Sequence, residues 1–139
     1  MIKPKKLNKY DYELIKEAEK VIKKYYNYER HHIGVAVRTK SCNIYSAVHL
    51  EANVGRITVC GEAIAIGKSI SEGEKEIVTI VAVAHPHPFE NTTDCWVVTP
   101  CGMCRELISD YGSGIDVIIP FKEKIIKCNI MDLLPEKYK

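Results

Sequence analysis

Two short cysteine motifs constrain the fold of this chain more than any other feature of its sequence. The first is Cys60-Gly61-Glu62, and the second is Pro100-Cys101-Gly102-Met103-Cys104. A catalytic zinc ion typically has three protein ligands and keeps its fourth position for water or substrate. We therefore expect Cys60, Cys101 and Cys104 to bind one zinc ion. That expectation requires the fold to bring two distant segments of the chain together.

Glu62 distinguishes a reactive zinc site from a structural one. It follows Cys60 closely enough to reach the metal without replacing a ligand. A carboxylate in this position can take a proton from metal-bound water and return it to the substrate. A lone Cys-x-x-Cys pair also occurs in redox motifs and structural zinc sites, so the combination with Glu62 carries the inference. The alternative is a structural zinc site or a set of unrelated cysteines.

Length and charge limit the classes of function. With 139 residues, the chain fits one domain over residues 1–139. Its 20 basic and 18 acidic residues give a net charge of +2, which argues against a nucleic-acid partner and favours a small-molecule substrate. The sequence has no apolar run of the roughly 20 residues that cross a bilayer and no signal-peptide core. We expect a cytoplasmic protein with no membrane partner.

The expected cytoplasmic location also bears on the three cysteines outside the motifs. The reducing cytosol favours free thiols over disulfides, and cysteine without a motif is most often a small buried apolar residue. We therefore expect Cys42, Cys95 and Cys128 to be buried and unpaired.

The pattern of apolar residues predicts an α/β layered domain with a mostly internal sheet. The predicted elements are a helix from 8 to about 27, strands at 33–39 and 44–50, a buried helix at 59–71, an interior strand at 77–84, a helix from about 100 to 111, and strands at 115–119 and 124–128. Both cysteine motifs fall at the start of a helix. Three thiolates give a divalent zinc a net negative charge, and the positive ends of two helices offset it.

These motifs resemble the small zinc-dependent cytidine deaminase family, including its blasticidin S deaminase branch. The similarity extends from Gly34 onward, because Gly34-Val35-Ala36-Val37 looks like the first strand of the family and Leu133-Leu134-Pro135 looks like its C-terminal signature. Tyr138 stands near the aromatic residue that follows that signature in many members. The resemblance implies a cytidine deaminase-like three-layer fold, with a mixed five-stranded sheet flanked by helices. It also implies one zinc ion per subunit and a homotetramer.

The resemblance also suggests substrate-binding residues. Family members hold the ribose hydroxyls with an Asn-x-Glu pair, and His49-Leu50-Glu51 occupies that position here. Glu51 matches the pair, whereas His49 departs from Asn and has the alternative of an ordinary residue on a strand face. Arg56 is expected to meet the thiolates or a polar substrate group, or else to lie on the surface. Phe89, in a loop that either shapes the pocket or is simply exposed, is a candidate for stacking on a ring.

The expected activity is hydrolytic deamination of cytidine, deoxycytidine or a related modified aminopyrimidine nucleoside. Such a hydrolase acts on the C–N bond of a cyclic amidine and would serve nucleoside metabolism or pyrimidine salvage. In this hypothesis zinc-bound hydroxide attacks the amino-bearing carbon, and Glu62 shuttles the protons that release ammonia. One alternative is a detoxification enzyme similar to blasticidin S deaminase. The other is a non-catalytic, zinc-stabilised assembly module.

Overall fold

A mixed sheet of six strands runs through the molecule, and three α-helices cover its two faces. The computed structural model describes residues 1–139. The elements in chain order are α1 (Lys9–Tyr25), β1 (Ile33–Thr39), β2 (Ile44–Val48), α2 (Gly61–Ser71), β3 (Ile77–Ala84), β4 (Trp96–Val98), α3 (Gly102–Tyr111), β5 (Asp116–Phe121) and β6 (Lys124–Asn129). The predicted α/β class and its flanking helices are confirmed.

The strand order is β2-β1-β3-β5-β6, with β4 also paired to β3. Strand β5 runs parallel to β3, and every other pair is antiparallel. Side chains of β3 alternate between two cores: Ile80 and Ala82 pack with α2 and α3, whereas Val81 and Val83 pack with α1. This alternation explains the apolar run of residues 80–84 in β3, because both faces of the strand are buried there.

The sixth strand, β4, is absent from the sequence prediction, which gave five strands. Its three residues pair with Ala82–Ala84 at the end of β3. A segment this short has too few positions to show strand alternation, so only its pairing partner defines it. Strand β4 positions the second cysteine motif, because only Thr99 separates the end of the strand from Pro100, the first residue of that motif.

Helix α1 is fixed to the sheet through a buried carboxylate. Asn8 and Asp11 form a reciprocal capping box at its N-terminus. Asp11 is 1% exposed and also forms an ion pair with Lys127 on β6, with 2.9 Å between Nζ and Oδ2. One side chain therefore caps the helix and joins it to the far edge of the sheet.

The cysteines outside the two motifs differ in burial. All are free thiols, as expected. Cys128 is fully buried in the core and Cys95 is half-buried. The prediction of burial is wrong for Cys42, which is exposed at the tip of the β1–β2 hairpin with φ of 68°. The turn geometry there outweighs the apolar preference of the thiol. None of the helices is long and apolar enough to span a bilayer.

Candidate active site

The two cysteine motifs meet at the start of two helices. Cys60 is the N-cap residue of α2, Cys101 is the N-cap residue of α3, and Cys104 lies in the first turn of α3. Their three Sγ atoms lie within 4.8 Å of one another, and the Cys60 and Cys101 sulfurs are 3.8 Å apart. Zn–S bonds of about 2.3 Å in a tetrahedron place sulfurs about 3.8 Å apart. The cluster therefore has the dimensions of a zinc site.

A close contact between α2 and β1 positions the first motif. A Cβ atom added to Gly61 would lie 2.7 Å from Cγ2 of Val35, so only glycine permits this approach. Neither N-cap cysteine uses its side chain to cap its own helix. The sulfurs are consequently free to face each other, and the partial positive charge of both helix N-termini favours thiolate at this point.

The three thiols differ in their acidity. Burial, followed by the nearby Glu62 carboxylate, raises the pKa of the Cys104 thiol far above its usual range. Burial also raises the pKa of Cys60. Burial acts in the same direction on Cys101, but hydrogen bonds from Cys104 outweigh it and lower the pKa of Cys101. Three thiolates this close together need a compensating cation, and this all-sulfur donor set suits zinc.

Glu62 stands beside the sulfur cluster. Its side chain is 6% exposed, and its Oε2 atom accepts a hydrogen bond from Cys104 Sγ at 3.3 Å. The carboxylate faces a cavity of about 170 Å³. The residues that line this cavity are Ile33, His49, Cys60, Gly61, Glu62, Val98, Thr99 and Cys101. The structure thus brings Glu62 and the three cysteines together as the spacing of the motifs predicted.

His49 is buried in the wall of this cavity and links the backbone of β1 to Glu51. Its Nδ1 atom accepts hydrogen bonds from the backbone N–H groups of His32 at 3.1 Å and Ile33 at 3.2 Å. A neutral imidazole has one acceptor and one donor nitrogen, so Nε2 carries the proton. Nε2 lies 3.1 Å from Oε2 of Glu51 and donates to it. The surrounding hydrogen bonds therefore fix the His49 tautomer.

The tautomer of His49 decides whether a second cluster of potential ligand atoms can bind a metal. Atoms of His32, His49 and Glu51 lie within 4.8 Å of one another, a spacing that a metal ion can bridge. A histidine ligand normally binds the metal with one nitrogen and donates a proton from the other. In His49 the only nitrogen directed at the cluster already bears the proton. We therefore assign the cluster to hydrogen bonding and not to metal binding.

The other residues expected to bind substrate are more exposed. The Glu51 side chain is 39% exposed and lies next to His49. Arg56 lies on an exposed 3-10 turn, Gly55–Ile57, and Phe89 is 72% exposed in the loop after β3. Neither Arg56 nor Phe89 lines the 170 Å³ cavity.

Sequence reasoning missed several residues of the cavity wall. Ile33, Val98 and Thr99 line it, and the His32 ring contacts His49 edge to face, with 4.1 Å between the ring centroids. They come from the start of β1 and from β4 with the residue after it, segments that carry no motif. The adjacent His31 and His32 were a visible signal, but their role depends on contacts with His49 and Glu51 after β2, which spacing does not reveal.

The sequence of the chain is similar to a known family model and to known proteins. The model of the cytidine and deoxycytidylate deaminase zinc-binding region matches residues 8–119. A blasticidin-S deaminase of Bacillus cereus is 49% identical over 132 residues, which cover 95% of this chain and 94% of that protein. A cytidine deaminase of Sporosarcina psychrophila is 27% identical over 125 residues, covering 88% of this chain and 86% of the relative.

Solved structures share the fold. The cytidine deaminase of Bacillus anthracis aligns with a TM-score of 0.76 and 21% identity, covering 91% of this chain and 88% of that one. The enzyme of Burkholderia pseudomallei aligns with a TM-score of 0.73 and 22% identity, covering 91% and 98%. The fold, the zinc-binding region and the sulfur cluster agree with one another. The chain therefore belongs to the cytidine and deoxycytidylate deaminase family and is a zinc-binding hydrolytic deaminase.

Proposed function

We propose that this deaminase hydrolyses the exocyclic amino group of a cytosine nucleoside, with Glu62 as its catalytic acid and base. The observation that carries the proposal is the position of the Glu62 carboxylate, 3.3 Å from the Cys104 sulfur at the edge of the 170 Å³ cavity. A carboxylate at this distance from the metal ligands reaches both a water molecule and a ring held in the cavity. Cys60, Cys101 and Cys104 hold the zinc ion.

The proton transfers follow from this position. When bound, zinc supplies a Lewis acid that makes water a nucleophile at neutral pH. Glu62 accepts one water proton on its carboxylate and delivers it to N3 of the cytosine ring. It then moves the second proton to the amino group, which leaves C4 as ammonia while the water oxygen becomes the carbonyl oxygen. The start of α2 stabilises the carboxylate between these transfers.

The size and charge of the cavity favour a nucleoside over a nucleotide. Pockets that enclose a whole ligand have volumes of about 300–1,000 Å³, so a cavity of about 170 Å³ has room for only part of a nucleoside. We place the cytosine ring there. No lysine or arginine lines the cavity, and Glu51 adds a carboxylate beside its His49 wall. A phosphate on the substrate would be repelled by the Glu51 carboxylate.

Two kinds of cytosine nucleoside are candidates. The 49% identity to a protein named blasticidin-S deaminase, over nearly the whole chain, supports a modified cytosine nucleoside and a role in detoxification. Relatives named cytidine deaminase support cytidine and deoxycytidine and a role in pyrimidine salvage, at lower identity. His49 in place of the family Asn favours the modified nucleoside, because it alters the pair that holds ribose.

We also propose that the chain works in the cytoplasm as a single domain that assembles into a homotetramer. Large apolar side chains near the metal centre support assembly, since Ile57 is 67% exposed and Met103 is 77% exposed. Met103 lines a mainly apolar cavity of about 450 Å³ between α2 and α3. Large exposed apolar side chains and an open apolar cavity are typical of interfaces. Light scattering after size-exclusion chromatography should give four times the chain mass, and a monomer would contradict the assembly.

Ammonia release tests the activity. Zinc-loaded protein is assayed with cytosine, cytidine, deoxycytidine, their monophosphates and blasticidin S. We expect turnover of a nucleoside or of blasticidin S, and a loss of about 10²–10⁴-fold in Glu62→Gln with zinc retained. Glu72→Gln is the matched control, because Glu72 is exposed at the opposite end of α2. A Glu62→Gln variant with near-normal turnover would refute the role of Glu62. Bound zinc without any turnover would support a non-catalytic assembly module.

A further inference from the structure

A row of aromatic rings leads from the cavity wall to the loop between β3 and β4. The ring centroids of His49 and His32 are 4.1 Å apart, those of His32 and His87 are 5.1 Å apart, and those of His87 and Phe89 are 5.5 Å apart. Tyr28 adds an edge contact to Phe89 at 6.2 Å. The base cavity and the exposed loop are therefore connected by a continuous set of ring contacts.

His32 is the member of this row with an uncommitted side chain. Its ring makes no hydrogen bond within the protein, in contrast to His49, whose two nitrogens are both engaged. The His32 side chain is 28% exposed, and its Nε2 atom lies 3.7 Å from Oε2 of Glu51. That separation is too long for a hydrogen bond. A ring nitrogen of His32 is consequently available to a ligand.

The gap between His32 and Glu51 has the width of one bridging atom. A ligand oxygen or nitrogen at about 2.8 Å from each group spans two atoms that are 3.7 Å apart. The carboxylate accepts a hydrogen bond from such a ligand group, and a neutral imidazole can accept or donate one. Burial and the neighbouring His49 and His87 lower the pKa of His32, which keeps its ring neutral near pH 7.

The orientation of a cytosine ring directs its substituent towards this gap. C4 must face Glu62 and the sulfurs, and N1 lies opposite C4 across the six-membered ring. The substituent on N1 therefore points away from the metal centre and leaves a cavity that has room for little more than the base. The cavity wall includes His49, whose ring contacts both His32 and Glu51.

We propose that His32 is a specificity-determining residue that, with Glu51, binds a hydroxyl or amino group on the N1 substituent of the substrate. The inference rests on the proposed function, because it presumes a cytosine ring above Glu62. It assigns to His32 the selection of nucleosides that carry a hydrogen-bond donor on the sugar side. His87 and Phe89 extend the same surface with ring faces.

Steady-state kinetics of His32→Phe tests the assignment, because phenylalanine keeps the ring contacts and removes both nitrogens. The substrate is cytidine or blasticidin S, whichever the zinc-loaded wild type deaminates. The inhibition constant of 1-methylcytosine, whose N1 substituent has no donor, is the internal control. We expect His32→Phe to raise KM for the nucleoside about tenfold, the loss of one hydrogen bond, with kcat within about threefold. The inhibition constant of 1-methylcytosine should not change.

A second variant separates binding from structure. In His32→Gln the side-chain amide reaches the position of Nε2 and should restore much of the lost affinity, even if His32→Phe folds poorly. An equal change for the nucleoside and for 1-methylcytosine in both variants, or no change for either ligand, would refute the role of His32. If wild-type protein with bound zinc deaminates neither nucleoside, the proposed function itself fails, and this inference fails with it.

Discussion

Replacing His49 with phenylalanine should both destabilise the fold and weaken substrate binding. His49 is 4% exposed, and its Nδ1 atom is the acceptor for the N–H groups of His32 and Ile33. Phenylalanine fills the same space but accepts no hydrogen bond. The two N–H groups then lose their partner at the start of β1, and Glu51 loses the donor that orients its carboxylate.

The magnitude follows from these two N–H groups. An unsatisfied buried donor costs about 1–3 kcal/mol. The pair shares one acceptor and lies in a part-buried region, so we expect His49→Phe to lower the free energy of unfolding by about 2 kcal/mol. For a chain of this length that corresponds to a fall in Tm of roughly 6–8 °C. Urea unfolding and differential scanning calorimetry of the zinc-loaded protein measure both values.

The matched variant is His49→Asn, which introduces the residue typical of the family. An asparagine Oδ1 atom can take the place of Nδ1 and accept from the same N–H groups, but the shorter side chain does not reach Glu51. We expect His49→Asn to unfold within about 1 kcal/mol of wild type while KM for the nucleoside changes. Equal stability of His49→Phe and wild type would refute the hydrogen-bond assignment. So would equal destabilisation by the two variants.

The remaining predictions concern the metal, pH and a buried ion pair. Cys104→Ala should abolish stoichiometric zinc in metal analysis and lower Tm, whereas Cys128→Ala, at a buried cysteine outside the site, should keep its zinc. Hydrogen bonds to the Glu74 carboxylate lower its pKa from 4.5 to about 2, and the bond from the Ser41 side chain has the largest effect. Because the folded pKa is depressed, this stabilisation is complete above pH 4.5 and is lost as pH falls towards 2. The Tm difference between wild type and Glu74→Gln should follow that course, and a difference that persists at pH 2 would contradict it. Asp11→Ala leaves Lys127 without its partner and should cost about 3–5 kcal/mol in urea unfolding; a loss below 1 kcal/mol would show that the pair is not desolvated.

Much of the fold was predictable from local patterns. The apolar periodicity of α1 and the mainly apolar sequence of β3 gave those elements nearly their observed bounds, because both patterns report burial directly. The grouping of the three motif cysteines with Glu62 was predictable for a different reason, since the spacing of these residues reflects coordination chemistry. Strand β4 was not predictable, because three residues carry no periodicity and its pairing with β3 alone defines it.

The metal centre was predictable from the sequence, whereas the contacts on the substrate side were not. The sequence by itself determined an α/β deaminase fold with three sulfurs and one carboxylate at a zinc centre, because these features depend on residue type and spacing. Only the tertiary structure decided that His49 is held in a single tautomer and that His32 faces Glu51. Those contacts join the start of β1 to the segment after β2. They arise from strand pairing between residues far apart in the chain, which short-range spacing does not encode.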